Sequence, residues 1–283
     1  MPIEHISDTA RWVAVYRAME SERPDRLFND PFARRLAGLE GEDIANAMPR
    51  GRQMAWAMIV RTAVFDELIL RTIEQDRIDL VVNLAAGLDA RPWRLALPSS
   101  LRWVDVDLPG ILEHKKQTIG SAKPICSYEA IAADLTDSAL RDALFSKLGA
   151  ASSRALIVTE GLLIYLTAEQ VGSLATSLSR IPSFRWWIID LASPQLLEMM
   201  LRTTGKALAH ANAPFKFAPV EGTGFFLPFG WKEKQFCSTW DDSLRLNRQI
   251  RFAWLYRLMG RFASKERQEI ARRFSGNVLL ERV

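Results

Sequence analysis

The sequence predicts an α/β fold, doubly wound around a mostly parallel sheet. Three observations carry that prediction. After residue 75, short apolar runs alternate with helical segments, the pattern of parallel strands with helices on both faces. Residues 81–91 read Val-Val-Asn-Leu-Ala-Ala-Gly-Leu-Asp-Ala-Arg: an apolar strand, a tight small-residue turn, then an acid. The chain of 283 residues is 48% hydrophobic and 25% charged, a globular composition with enough apolar material for one large domain carrying an insertion.

In chain order, residues 7–20 read as a helix with Ser7, Asp8 or Thr9 available as its cap. Asp30-Pro31 looks like a second helix start, an acid at the cap with proline in the first turn. Residues 53–74 form a long helix with Met54, Met58, Val64, Leu68 and Ile69 along one side. Strands are expected at 79–85, 102–107, 128–133, 155–160 and 186–191, with helices near 91–97, 109–119, 137–148 and 167–180. Residues 193–230 break this rhythm with Pro194, Pro214, Pro219, Pro228 and several glycines, and read as a cap. The stretch 248–274 reads as a helix, and GNVLLERV as a final strand. The division is therefore a helical N-terminal lid (1–75), a nucleotide-type core (76–192), a cap insertion (193–247) and a closing helix and strand (248–283).

The net charge of +4 can steer an anion but is too weak to argue for nucleic acid. Cys126 and Cys237 lie far apart, forming neither a metal-spaced pair nor a disulfide framework. His5 and His210 have no partner at ligand spacing, so no metal site is expected. Neither a signal peptide nor an 18-residue apolar run is evident, and the expectation is a cytoplasmic protein without a membrane span.

The turn after the first strand carries the chemistry. A dinucleotide site wants Gly-x-Gly-x-x-Gly, so that bare backbone approaches a pyrophosphate at a helix N-terminus. Here only Gly87 is present, and Asp89 stands where a phosphate would be repelled. A carboxylate there suits a cofactor with a cationic end and no phosphate, as in S-adenosyl-L-methionine. Other strand ends add acids: Asp105 and Asp107 after the second, Asp134 with Leu135 after the third, Glu160 after the fourth. An acid some 20 residues past the glycine turn can accept ribose hydroxyls, Asp134 can accept from an adenine amine, and Glu160 faces the centre of the cleft. Ligands in such sheets lie beyond the carboxyl ends of the strands, so these acids form one constellation.

At these residues the sequence resembles the leucine carboxyl methyltransferase family, in the bacterial branch that includes polyketide O-methyltransferases. The likeness rests on VVNLAAGLDARPWRL, WVDVDLPGILEHKK, AADLTD, TEGLLIYLTAEQ, RAMESERPDRLFNDPFARRLAG and the arginine of MIVRTAVFDELI, which cover most of residues 10–191. It implies a class I methyltransferase sheet of seven strands and S-adenosyl-L-methionine as methyl donor. It further implies that Arg61 clamps the methionine carboxylate, Ala85 and Gly87 line the amino-acid end, Asp107 holds the ribose (with Asp105 as the lesser candidate), Asp134 and Leu135 hold the adenine, and Glu160 lies by the ammonium or sulfonium. One residue departs from the family pattern: Ala85 stands where glycine is usual, and alanine disfavours positive φ.

Glu160, Tyr165 and Arg17 are the candidates for a catalytic part. Tyr165 points into the cleft or lies in the core; Arg17 reaches the site from the lid or pairs with Glu20 or Glu22. His114 is a candidate base or a solvated helix residue. The basic stretch Arg245–Arg273 is a nucleic-acid or membrane-surface helix, or a solvated face whose stripe of Leu255, Met259, Phe262 and Ile270 packs on the sheet. No base-flipping motif is present, and no nucleic-acid or membrane partner is expected. The expected reaction is O-methylation of a small-molecule acceptor, anionic or apolar-aromatic, with the aromatic cap (Phe215, Phe217, Phe225, Phe226, Phe229, Trp231) as a candidate acceptor wall. Alternatives are methylation of a protein C-terminal leucine, or a non-catalytic cofactor-binding regulatory module. The oligomeric state is left open.

Overall fold

The computed structural model describes residues 8–48, 51–203, 214–250, 253–254 and 264–283. Three helices come first: α1 (Asp8–Ser21), α2 (Ala33–Ala47) and α3 (Gly51–Asp76). The alternating unit follows as β1 (Leu80–Leu84), α4 (Arg91–Arg94), β2 (Arg102–Asp107), α5 (Pro109–Ile119), β3 (Ser127–Ala132), α6 (Ser138–Ala150), β4 (Ala155–Thr159), α7 (Ala168–Ser179) and β5 (Phe184–Ala192). The chain ends with α8 (Pro194–Thr203), β6 (Trp231–Ser238), α9 (Thr239–Arg245), α10 (Lys265–Arg272) and β7 (Ser275–Arg282), with short 3₁₀ segments at Leu163–Tyr165 and Gly222–Phe229.

The seven strands form one sheet in the order β3-β2-β1-β4-β5-β7-β6. The first five are mutually parallel, whereas β7 runs antiparallel to both β5 and β6. Every residue of β1 and of β4 is buried, as central parallel strands covered on both faces require. Period-two alternation splits neighbouring residues between two cores. Val82, Ile157 and Trp187 join Phe145, Leu174, Phe226 and Trp231 on one face. Val81, Leu156 and Trp186 join Phe65, Leu68 and Trp103 on the other.

Three expectations are revised. First, β6 lies inside the 193–247 stretch assigned to the cap, yet it pairs with β7 as part of the sheet. Its sequence, Trp-Lys-Glu-Lys-Gln-Phe-Cys-Ser, is polar because it is an edge strand with one solvated side. Second, α2 starts at Ala33 without a side-chain cap. Asp30 accepts from the Phe32 amide at 3.1 Å, but its other oxygen is engaged by Arg17 at 2.9 Å. Third, Ile270 is more than half exposed on α10, so it does not pack on the sheet. Ser7, His5, His210 and the remainder of the apolar stripe lie outside the described residues, as do the Met54 side chain and residues 251–252 and 255–263 of the expected 248–274 helix. Among the described residues no helix is long and apolar enough to cross a membrane.

Candidate functional site

The carboxyl edge of the parallel strands opens into a cavity of about 680 Å³, within the roughly 300–1,000 Å³ usual for small-ligand sites. Arg17, Arg61, Ala85, Gly87, Asp89, Asp107, Asp134, Leu135, Glu160 and Tyr165 all line it. Asp105 does not.

The turn after β1 sets the floor. Ala85 and Gly87 both have φ +51, left-handed backbone that reverses the chain within three residues. The alanine at 85 therefore sits where its Cβ is disfavoured. A Cβ on Gly87 would come within 3.2 Å of Ala10, so the glycine also lets α1 lie against the turn.

Carboxylates occupy the amides that a phosphate would need. The Gly87 amide donates to Asp107 Oδ2 at 2.6 Å, and the Arg91 amide, at the start of α4, donates to Asp89 Oδ1 at 2.8 Å. Asp107 also accepts from the Leu108 amide at 2.7 Å. Burial raises its pKa above the ordinary carboxylate value, against the pull of these two donors. Asp105 sits two residues deeper, fully buried, and accepts from Lys115, Tyr128, Trp103 and Asn83 at 2.7–3.1 Å. It has no face toward the cavity, which leaves Asp107 as the ribose candidate.

Asp134 lies exposed on the rim, where the Thr136 hydroxyl and amide lower its pKa. Leu135 beside it packs against the core. At the centre, Glu160 is held by both oxygens: Oε1 accepts from Arg61 Nε at 3.0 Å, and Oε2 lies 2.8 Å from Arg91 Nη1. Burial works to raise the Glu160 pKa, but Arg91 and Arg61 outweigh it and hold the carboxyl below its ordinary range. Arg61 also reaches Asp190 at 3.3 Å through Nη1, leaving Nη2 without a carboxylate partner among the described residues. Gly161, at φ +69, gives its guanidinium room: a Cβ there would lie 3.2 Å from Nη1.

Three candidates make contacts other than those foreseen. Asp89 lines the cavity, but Arg91 at 2.7 Å and Asn83 at 3.1 Å engage its carboxylate. Its charge is thus compensated within the protein, and Arg91 leads the charges that, against burial, hold its pKa far below the ordinary value. Arg17 lines the cavity from the lid helix, and pairs with neither Glu20 nor Glu22. It joins Asp30 and donates to the Leu88 carbonyl at 2.6 Å, latching α1 to the turn. Glu20 is held instead by Arg248 and Glu22 by Arg34. His114 is only partly exposed: its Nε2 lies 3.1 Å from Arg11 and 3.2 Å from the Leu36 carbonyl, against the lid helices. Tyr165 does face the cavity, its ring 5.5 Å from Phe215 and its hydroxyl hydrogen-bonded to Thr9. Burial raises its pKa and keeps the phenol protonated.

The structure adds residues that the sequence reading passed over. Asp190 lies two residues before the end of β5, accepts from the Gly161 amide at 2.6 Å and lines the cavity. It obeys the same strand-end logic as the other acids. Lys216 lines the cavity beside Phe215 and Phe217, and its ammonium has no ion-pair partner among the described residues. In all, six acids and five cations line the cavity. Among the described residues no cluster of His, Cys, Asp and Glu could hold a metal ion.

Comparison with known proteins agrees with this layout. A family model described as leucine carboxyl methyltransferase matches residues 10–179. A protein of Parafrankia sp. (strain EAN1pec) named for S-adenosyl-L-methionine-dependent methyl transfer is 37% identical over 186 residues, 62% of this chain and 59% of the relative. A similarly named Streptomyces coelicolor protein is 37% identical over 175 residues, 58% of this chain and 60% of that one. The chain thus spans about three fifths of the length of these curated relatives. Among solved structures, a DUF574 family protein from Streptomyces avermitilis aligns over 97% of both chains, with a TM-score of 0.63 at 13% identity. A Thermobifida fusca protein whose name assigns it to the methyltransferases aligns over 100% of this chain and 95% of its own, with a TM-score of 0.59 at 16% identity. The seven-stranded sheet is that α/β methyltransferase fold.

Proposed function

The chain belongs to the leucine carboxyl methyltransferase family, and from that premise we propose that it transfers the methyl group of S-adenosyl-L-methionine to an oxygen of a small-molecule acceptor, a carboxylate in preference to a hydroxyl. The observation that carries this reading is the carboxylate occupancy of the turn: the Gly87 and Arg91 amides already bond to Asp107 and Asp89. A pyrophosphate would meet two anions there, while a phosphate-free nucleoside with a cationic end would not. The residues fit such a cofactor. Asp107 would accept from the ribose hydroxyls, Asp134 from the adenine amine, and Leu135 would pack the ring. Arg61, through its open Nη2, would take the carboxylate, with Glu160 and Asp190 toward the ammonium and sulfonium. When bound, the cofactor supplies an electrophilic methyl group on sulfur.

The remainder of the cavity suits an apolar anion. Trp12, Ile164, Tyr165, Leu196, Met200 and Phe215 form an apolar wall, and Lys216, exposed between buried Phe215 and Phe217, places a cation at its edge. A carboxylate is ionised at neutral pH and needs no base. Tyr165, held protonated, can donate a hydrogen bond but cannot remove a proton. Positioning for an in-line displacement is then the main task of the wall. A recess bounded by α1 and α8 supports a compact acceptor over an extended protein C-terminus.

The test is incubation with methyl-labelled donor and matched aryl-alkyl carboxylates and phenols. Methyl esters release labelled methanol in mild alkali, and aryl ethers do not. Label released from carboxylate products supports the reading. Label found only in alkali-stable ethers, or only on peptides ending in leucine, rejects it.

A further inference from the structure

We propose that Arg91 is a positioning residue for cofactor recognition: by bridging Asp66, Asp89 and Glu160 it keeps the Glu160 carboxylate ionised and aimed at the cationic end of the methyl donor. This rests on the cofactor reading above.

The geometry is that of one buried guanidinium meeting three carboxylates from three elements. Arg91 is 2% exposed. Its Nε lies 2.6 Å from Asp66 Oδ1 on α3, and its Nη1 lies 2.7 Å from Asp89 Oδ2 and 2.8 Å from Glu160 Oε2. Its amide fixes Asp89 from the other side at 2.8 Å. Arg94 secures the far partner, reaching both oxygens of Asp66 at 2.6 and 2.8 Å. The chain of contacts continues through Glu160 to Arg61 and Asp190. Glu160 is therefore clamped between two cations, one on each oxygen, and cannot rotate away from the cavity.

The charges facing Glu160 are Arg91 from α4, Arg61 from α3 and Asp89 from the turn, with Asp190 beyond Arg61. Burial and Asp89 favour the protonated acid; Arg91 and Arg61 favour the carboxylate. Arg91 is the larger of the two favourable influences. Removing it leaves a buried acid beside Asp89, so protonation shifts toward neutral pH. A protonated Glu160 has no charge to offer an ammonium or sulfonium. A residue that merely filled space would change stability without producing this pH dependence.

The experiment is calorimetric titration with S-adenosyl-L-homocysteine, which carries the ammonium and requires no turnover, from pH 8 to pH 6. The quantity read is the ratio of variant to wild-type Kd, in which the ligand's own titration and that of Asp107 cancel. For Arg91→Met this ratio is expected to rise by at least about threefold as the pH falls across that range. Glu160→Gln should show a weaker but pH-flat ratio, and Arg91→Met/Glu160→Gln should be flat as well. Because Arg91→Met strands Asp66 and Asp89, Arg91→Lys is the second variant. It keeps the charge, loses the fork, and is expected to fold with a smaller ratio whose rise toward low pH is shallower but of the same sign. A flat ratio in the folded variants, or a slope that survives in the Glu160→Gln background, overturns the proposal while leaving the cofactor reading intact. Failure of the wild type to bind the ligand at any pH rejects the cofactor reading itself.

Discussion

At the residue scale, Ala85 is the clearest departure from an unstrained backbone. A non-glycine residue in the left-handed region costs about 1–2 kcal/mol, and glycine there is relieved of it at an unfolded-state entropy cost of about 0.4–1 kcal/mol. Ala85→Gly should therefore raise the thermal midpoint by about 2 °C while leaving the Asp107–Gly87 contact intact. A lowered midpoint in scanning calorimetry would show that this φ carries no strain. The same scale shows where sequence reading stops. Asp105 and Asp107 are two apart, so strand parity cannot separate them. Depth does: Asp105 pairs in register with Asn83, inside the sheet, whereas Asp107 has only Ala132 beside it at the carboxyl edge. The partners of Asp89 were equally hidden, because a lone acid in a turn gives no sign that Arg91 and Asn83 will fold back onto it.

At the element scale, strands buried on both faces were legible because their apolar runs are continuous. β6 was not, because an edge strand can be polar and only the pairing with β7 reveals it. Yet β6 is anchored firmly. Trp231 is fully buried, donates from Nε1 to the Ala175 carbonyl at 2.9 Å, and stacks edge-on with Trp187 at 5.5 Å. Trp231→Ala should cost about 3–5 kcal/mol, read as a lower denaturant midpoint at unchanged slope. A loss under about 1 kcal/mol, the scale of ordinary surface changes, would mean that β6 is peripheral to the core. The lid was legible as helices but not in its attachment. Arg17 crosses from α1 to the Leu88 carbonyl, a contact between residues 71 apart that no local pattern encodes.

At the scale of the whole molecule, the parallel core and the acids at its strand ends could be read in advance because a single rule places both: ligands sit where the strands end. The same rule reaches Asp190, on the fifth strand. The dense pairing of acids with arginines was not readable, since it depends on which side chains converge in space. It also changes the picture from a ring of free carboxylates to a compensated network, in which Asp89 and Glu160 share arginines and the Arg61 Nη2 has no carboxylate partner among the described residues. A ligand that binds only the folded state at 100 times its Kd adds about 2.7 kcal/mol of stability. S-adenosyl-L-homocysteine should accordingly raise the unfolding midpoint, and ATP and NAD should not.

The most direct test is calorimetric titration of the wild type and of Asp107→Ala with S-adenosyl-L-homocysteine, NAD and ATP at neutral pH. Loss of the charge-assisted hydrogen bonds from Asp107 should cost about 2–3 kcal/mol, a Kd roughly 30- to 150-fold weaker, with neither phosphate-bearing ligand bound by either protein. Equal affinity of both proteins for S-adenosyl-L-homocysteine, or binding of NAD or ATP that Asp107→Ala strengthens, would contradict the account.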